Sequence, residues 1–172
     1  MELQERFAQG DVKAFEALFR MFQQEVYRWI IRIVRNPAAA EELTVETFWR
    51  IYRSHARFDP ARSFGAWARR VATNVALDYL KQVPREVALP DDRPQVTPRN
   101  PAIQQEMREK IQRAFSHLPA KLRVAATLAL VEETPYEEIA ESLNIPIGTV
   151  KSRVFRATRL LRKKLKQSGM EP

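Results

Sequence analysis

A basic segment near the end of the chain has the residue types and the spacing to bind a polyanion. Between Gly148 and Gln167 the sequence contains eight lysines and arginines and no aspartate or glutamate. A helical winding of about 100° per residue puts the apolar residues on one side: Val150, Val154, Ala157 and Leu161. Basic and polar residues occupy the other side and its flanks: Lys151, Ser152, Arg153, Arg156, Arg159 and Lys163. Such a helix can pack on a domain with one side and bind phosphates with the other.

The residues before this segment predict how it is presented. The sequence TPYEEIAESLN offers a capping box, with Thr134 as the N-cap, Pro135 first in the helix and Glu137 third. Asn144 follows at the point where a tight turn needs a left-handed residue, a conformation that asparagine tolerates. A second helix that starts near residues 147–149 completes a helix-turn-helix. This motif places its second helix in the major groove of DNA.

Position along this second helix separates two kinds of predicted DNA contact. The first turns reach base edges, which assigns base readout to Lys151, Ser152 and Arg156. Residues further along are predicted on or near the phosphate backbone: Arg159, Arg162 and Lys163. Two more residues complete the predicted DNA-binding set: Thr149 and Arg153. The alternative interpretations are a solvated basic face on an ordinary helix and an amphipathic helix at a membrane surface.

Composition limits the other functions open to the chain. The 172 residues carry a net charge of +8, which favours a polyanionic partner such as nucleic acid or an anionic membrane surface. Because there is no cysteine, disulfides and cysteine-bound metals are excluded. His55 and His117 are isolated from any ligand set, and neither a phosphate-binding glycine loop nor a nucleophile motif occurs. We therefore expect no metal, no cofactor and no catalysis.

The chain divides at a proline-rich stretch. Residues 82–101 contain five of the eleven prolines, and prolines prevent a continuous helix. We interpret this stretch as a linker between two small helical domains, residues 1–81 and 102–172, and expect few contacts between them. Helical spacing in both halves and the absence of a strand pattern predict an all-α fold. No apolar run approaches the roughly 20 residues of a membrane span, so we expect a cytoplasmic protein without membrane insertion.

Two helices of the N-terminal half present unusual outward faces. In the helix predicted from Pro37 to about Arg53, an exposed tryptophan and valine lie between carboxylates: Glu42, Val45, Glu46 and Trp49. This pattern suits a protein-binding surface, because tryptophan is a common interface anchor. The helix from about Phe64 to Lys81 presents polar residues on its predicted outer side: Arg70, Thr73, Asn74, Asp78 and Lys81. Arginine and asparagine one turn apart can reach phosphates and base edges.

Three motifs in order resemble one family. The sequence IPIGTVKSRVFRA, preceded by YEEIAESL, is similar to region 4 of the extracytoplasmic-function (ECF) sigma factors, a compact branch of the sigma-70 family. AEELTVETFWRIYR resembles the family's polymerase-binding helix, and FGAWARRVATNVALDYL resembles its segment that reads the −10 promoter element. The resemblance implies a non-catalytic initiation subunit that directs core RNA polymerase to promoters and assists their opening.

The resemblance also implies the partners. The first domain would bind the β′ clamp helices and the −10 element, and the second would bind the β flap and the −35 element. The loop from His55 to Ser63 corresponds to the family's loop for a base flipped out of the −10 element. Its candidate contacts are Phe58, Arg62, Ser63 and Phe64, with Arg70, Asn74 and Asp78 on the following helix. An anti-sigma protein is common in the family, but the sequence shows no site for one.

Two other classes of function remain open on the sequence. A stand-alone helix-turn-helix regulator would bind operator DNA without forming a stable complex with core polymerase. An adaptor that binds only proteins would have no salt-dependent affinity for DNA.

Overall fold

The computed structural model describes residues 2–83 and 101–170. Every regular element in these two ranges is helical and neither contains a strand, which confirms the all-α prediction. The first range holds α1 (Leu3–Ala8), α2 (Val12–Val34), α3 (Pro37–Arg53), a 3-10 turn (His55–Arg57) and α4 (Phe64–Gln82). Of the predicted linker, Gln82 ends α4 and Pro101 begins the next helix, while residues 84–100 lie outside the described ranges.

Side chains fix where the N-terminal helices begin. Asp11 accepts hydrogen bonds from the backbone N–H groups of Lys13 (2.8 Å) and Ala14 (3.2 Å) and so caps the N-terminus of α2. Asn36 accepts from the N–H of Ala39 at 3.2 Å, and Pro37 occupies the first turn of α3. These contacts satisfy N–H groups that a helix start leaves without partners. The start of α3 is therefore fixed by residues next to it in the sequence.

An aromatic cluster holds α1, the loop after α3 and the start of α4 together. The Phe7 ring lies 5.8 Å from Phe58 and 5.6 Å from Phe64, and the Phe58 ring lies 5.0 Å from Trp67. Tilted and edge-on ring pairs at these distances are favourable beyond their buried area. The loop from His55 to Ser63 is consequently fixed from beneath by its own aromatic residue.

The second range holds α5 (Pro101–Ser116), α6 (Ala120–Ala126), a π-helical turn (Thr127–Val131), α7 (Tyr136–Leu143) and α8 (Ile147–Gln167). The predicted capping box at α7 is wrong: no side chain caps this helix, and it begins at Tyr136. Glu133 adopts a left-handed φ of 53° and turns the chain back, so that the N–H of Thr134 donates to the Leu128 carbonyl at 2.8 Å. The Thr134 side chain is buried beneath the turn.

The two halves share one hydrophobic core. Residues of the second half belong to the same buried cluster as the core of the first: Val124, Ala125, Leu128, Ile139, Val150 and Val154. The expectation of few contacts between the halves is therefore wrong. The helix α4 is contacted by α2 and α3 on one side and by α6 and α7 on another, and its alanines at positions 68, 72 and 76 let neighbouring helices approach closely.

This packing corrects one face assignment. Thr73, predicted on the outer side of α4, is fully buried. Its hydroxyl accepts a hydrogen bond from the Trp29 indole N–H at 2.9 Å and donates to the Arg69 carbonyl at 2.7 Å. A helical wheel assumes that a helix buries only one side, whereas α4 packs against other helices on two sides.

Candidate nucleic-acid interface

The helix-turn-helix exposes the basic side of α8. Asn144 takes the predicted left-handed conformation, with φ 54° and ψ 49°, and the chain reverses there between α7 and α8. The four residues predicted to face inward are buried: Val150, Val154, Ala157 and Leu161. Lys151, Ser152, Arg156, Arg159 and Lys163 are exposed, while Thr149 and Arg153 are half-buried. The predicted division of α8 into a packing side and an outward basic side is confirmed. The contacts of α8 with DNA remain a prediction.

Like charges are crowded along this side of α8. Burial, and then the neighbouring Arg156 charge, lower the pKa of the Arg153 guanidinium from its ordinary value. Within residues 2–83 and 101–170, no carboxylate forms an ion pair with the basic residues of α8. An anion such as a phosphate would relieve this mutual repulsion, because opposite charges favour the charged form of each group.

Sequence reasoning missed an apolar residue on the same face. Phe155 is 64% exposed, and the winding of α8 puts it between Lys151 and Arg159. An exposed phenylalanine among cations has no partner in the core, but it can make apolar contact with a thymine methyl group in the major groove. The sequence did contain the signal for this residue, because a winding of about 100° per residue puts position 155 on the outward side of α8.

The predicted −10 residues are divided by the structure into two groups. The first lines a cleft of 570 Å³ between the loop 57–63, the start of α4 and Glu141 of α7. Arg62 and Ser63 lie on its loop side and Arg70 on its α4 side. The Ser63 hydroxyl caps α4 by accepting from the Ala66 N–H at 3.3 Å. Arg70 is half-buried, and its Nε is enclosed without a hydrogen-bond partner in the described part of the chain.

The second group lies further along α4. Asn74 is exposed one turn beyond Arg70. Asp78 is half-buried and accepts a hydrogen bond from Arg50 of α3 at 3.0 Å. The Arg50 guanidinium also donates to Glu46 at 2.7 Å. The hydrogen bonds that the Arg50 guanidinium donates to Glu46 and, less strongly, to Asp78 raise its pKa from the ordinary value.

The two phenylalanines among the candidate contacts for a flipped base are not accessible to one in this structure. Phe58 is 4% exposed and Phe64 is 1% exposed, because both rings pack in the aromatic cluster with Phe7 and Trp67. Each therefore supports the loop from below. Trp67 also lines the cleft and, unlike Phe58, is only half-buried.

The outward face of α3 carries an apolar patch. Val45 and Trp49 are 68% and 54% exposed, and Glu42 is exposed beside them. Trp49 stacks on Tyr52 with 6.1 Å between ring centroids, and the Arg53 guanidinium lies 6.0 Å from the Trp49 ring. The tryptophan is thus held in place on the surface, which suits an interface anchor.

Two other kinds of feature are absent from the described ranges. No group of three or more histidine, aspartate or glutamate side chains there is arranged to hold a metal ion. None of the helices in residues 2–83 and 101–170 is long and apolar enough to cross a membrane.

Comparison with known proteins decides the family. The model of Sigma-70 region 2 matches residues 18–86, and that of Sigma-70 region 4 matches residues 108–161. The ECF RNA polymerase sigma-E factor of Haemophilus influenzae is 34% identical over 178 residues, which cover 95% of this chain and 93% of that protein. The chain belongs to the ECF sigma factors of the sigma-70 family. As an RNA polymerase sigma factor, it directs the polymerase to promoters in transcription initiation.

Further relatives agree with this assignment. The ECF sigma factor SigW of Bacillus subtilis is 32% identical over 171 residues, covering 91% of each chain. SigE of Mycolicibacterium smegmatis is 34% identical over 170 residues, covering 95% of this sigma factor and 66% of that longer protein.

Solved structures show the same fold. CnrH, solved in complex with the cytosolic domain of CnrY, has a TM-score of 0.60 at 20% identity and covers 96% of both chains. RpoE of Bartonella quintana, solved with the anti-sigma factor NepR, has a TM-score of 0.54 at 22% identity, covering 90% of this chain and 98% of RpoE.

Proposed function

We propose that the sigma factor reads the −35 element with α8. The outward basic side of this helix carries the proposal, because it is free of carboxylates and follows the left-handed turn at Asn144. Its N-terminal turns would enter the major groove, where a bidentate arginine or a serine hydroxyl discriminates bases. The base-reading residues are Lys151, Ser152 and Arg156, joined by Phe155. Residues near the backbone are Thr149, Arg153, Arg159 and Lys163.

The −10 element is assigned to the cleft beside α4. Arg62 and Arg70 supply guanidinium groups at its rim, and Asn74 extends the surface along the helix. A base extruded from the duplex needs a stacking partner to offset lost stacking, and Trp67 is the aromatic residue of the cleft that is not deeply buried. Ser63 and Asp78 act here by positioning α4, while Phe58 and Phe64 support the loop.

Core polymerase is assigned to the patch on α3. Val45 and Trp49 would be covered by the β′ clamp helices, with Glu42 and Glu46 at the polar rim. The second domain, residues 102–172, would bind the β flap, and residues 82–101 would connect it to the first domain, residues 1–81. The polymerase supplies the chemistry, so the sigma factor itself needs no catalytic group or cofactor. Its place of action is the cytoplasm.

An anti-sigma partner also belongs to the proposal. CnrH was solved with the cytosolic domain of CnrY, and RpoE with NepR, which is named an anti-sigma factor. The fold shared with these two proteins supports a similar inhibitor for this chain, without indicating which surface it would cover.

Transcription with purified components tests the function. The chain is mixed with core polymerase and a library of promoter fragments, and transcripts are sequenced. We expect the transcripts to start downstream of a shared pair of −35 and −10 elements. They should appear only in mixtures that contain both the chain and core polymerase. DNA binding without a stable complex with core polymerase would favour a stand-alone regulator. Absence of any salt-dependent DNA affinity would favour a protein-binding adaptor.

A further inference from the structure

The short N-terminal helix α1 contacts the loop from His55 to Ser63 at two separate places. Near the start of the loop, the Phe7 ring of α1 lies 6.3 Å from the His55 ring. Nδ1 of His55 donates a hydrogen bond to the Ala8 carbonyl at 3.2 Å, since a carbonyl oxygen can only accept. The second contact is made by Gln4 and lies at the tip of the loop, residues 59–62.

The Gln4 side chain holds the tip of the loop through two backbone carbonyls. Its amide nitrogen lies 3.1 Å from the Arg62 carbonyl oxygen and 3.2 Å from that of Pro60. The nitrogen faces the loop because the opposite orientation would place an amide oxygen against two carbonyl oxygens. A carboxamide has two N–H donors, so this one half-buried side chain can donate to both carbonyls.

The other hydrogen bonds of the tip stay inside the loop. Within the described ranges, the Arg62 N–H donates to the Asp59 carbonyl and the Ala61 N–H donates to the Asp59 side chain, each at 3.0 Å. The Arg62 guanidinium lies 3.6 Å from the Asp59 carboxylate, but both side chains are mostly exposed, and such a pair contributes little stability. These contacts shape the turn, whereas the hydrogen bonds from Gln4 attach it to the rest of the domain.

The helix α1 is itself attached to α2. The Arg6 guanidinium donates to Asp11, the N-cap of α2, at 2.8 Å. Phe7 is buried, and its ring lies 6.2 Å from Phe15 of α2. These contacts do not involve the loop tip. Gln4 therefore extends from a helix whose position is fixed independently of the backbone that it holds.

We propose that Gln4 is a positioning residue for the reading of the −10 element, acting through the backbone of Arg62. This inference rests on the proposed −10 role of the cleft. In the described ranges the Arg62 guanidinium pairs only with the exposed Asp59, so its place at the rim of the cleft follows from its backbone. Directional contacts need their groups held within roughly 0.5 Å, and the two hydrogen bonds from Gln4 restrict the tip in this way.

Base preference at the −10 element is the first measurement. Holoenzyme is assembled from the full chain and core polymerase. The probe is the most active promoter of the fragment library, made as a duplex that ends in a single-stranded −10 element, with each −10 base substituted in turn. We expect Gln4→Met to lower the preference at one −10 position roughly fivefold, as the loss of a hydrogen bond does. The preference at the −35 element should not change.

The chain offers a matched control on the same helix. Gln9 is an exposed glutamine that directly follows α1, so Gln9→Met removes the same amide and should keep the wild-type −10 preference. Gln4→Lys should recover most of the preference that Gln4→Met loses, because an ammonium group can donate to both carbonyls. Gln9→Lys corrects for the added positive charge.

Amide hydrogen exchange measures the loop without DNA. The Arg62 N–H donates within the loop tip, and its exchange should be roughly fivefold faster in Gln4→Met because the tip opens more often. Exchange at Arg62 should be unchanged in Gln9→Met. Circular dichroism verifies that each variant is folded, and Gln4→Ala replaces Gln4→Met if the longer side chain disturbs α1.

Three results would overturn the proposal. They are equal −10 preference in Gln4→Met and Gln9→Met, an equal loss of preference at the −10 and −35 elements, and unchanged exchange at Arg62. With the wild-type −10 preference intact, each of these refutes only the role of Gln4. Wild-type holoenzyme that shows no preference among the −10 probes would instead refute the −10 assignment of the cleft, and with it the role of Gln4 in reading.

Discussion

Replacing Arg156 by alanine tests whether α8 reads bases. Arg156 is exposed in the middle of the outward side, and no carboxylate within the described ranges pairs with it. Its removal therefore breaks no internal ion pair, and the change in affinity reports the DNA contact itself. A bidentate contact with a base contributes about 1–3 kcal/mol of discrimination, which is roughly 5- to 150-fold in Kd. We expect this loss at one base pair of the −35 element.

Lys163→Ala should behave differently because of its position. Lys163 lies seven positions beyond Arg156, which is about 10 Å along the helix at roughly 1.5 Å per residue. A contact there reaches the phosphate backbone and carries no sequence information. Binding to all sequences should weaken alike, and the slope of log K against log salt should fall by about 0.9.

The assay measures binding to duplexes that carry single substitutions across the −35 element, at two salt concentrations. Lys164→Ala is the charge-matched control, because the winding of α8 turns this exposed lysine about 100° from Lys163. It should change the salt slope less than Lys163→Ala does. If Arg156→Ala weakens every duplex equally and all base preferences survive, then Arg156 anchors the backbone and the assignment of base readout to it is wrong.

Three further predictions concern other surfaces. Trp49→Ala should weaken binding to core polymerase with little change in melting temperature, because the ring is exposed; a large fall in melting temperature would contradict this. Asn144→Val should lower the free energy of unfolding by roughly 1–2 kcal/mol, since its φ is left-handed, whereas Asn144→Gly should not lower it in urea titration. A hydrogen bond from the Arg6 guanidinium, and then one from the Ala14 N–H, lowers the pKa of the Asp11 carboxyl from its ordinary value, so the charged carboxylate stabilises the fold at neutral pH. Asp11→Asn should reduce stability at neutral pH, and the difference from wild type should vanish as the pH falls through the lowered pKa.

Local signals in the sequence determined where α2 and α3 begin, where α7 ends and which side of α8 is buried. The caps at Asp11 and Asn36 act within three residues, so they form whatever packs around them. Asn144 likewise needs only its own backbone preference to end α7. The alternation of apolar and basic residues along α8 is strong enough to define both sides of that helix. The family resemblance rested on these same segments.

Periodicity could not predict the burial of residues on helices that pack against more than one neighbouring helix. The helical wheel predicts Thr73 on the outer side of α4, yet its side chain is buried and accepts a hydrogen bond from the Trp29 indole of α2. Phe58 and Phe64 are candidate contacts for a flipped base on the sequence alone, and only the aromatic cluster with Phe7 shows that their rings are packed inside. Thr134 has the residue type of a cap, but the left-handed turn at Glu133 takes it into the interior.

The docking of the two halves was decided by tertiary structure alone. The proline-rich stretch predicts a boundary between two helical units, but such a boundary says nothing about whether the units pack together. Arg69 and Glu138 are 69 positions apart, and each belongs to a helix whose local pattern is complete without the other. Charge complementarity between such residues appears only when the backbone brings them within hydrogen-bond distance, because a pairing over that separation leaves no periodic trace in the chain.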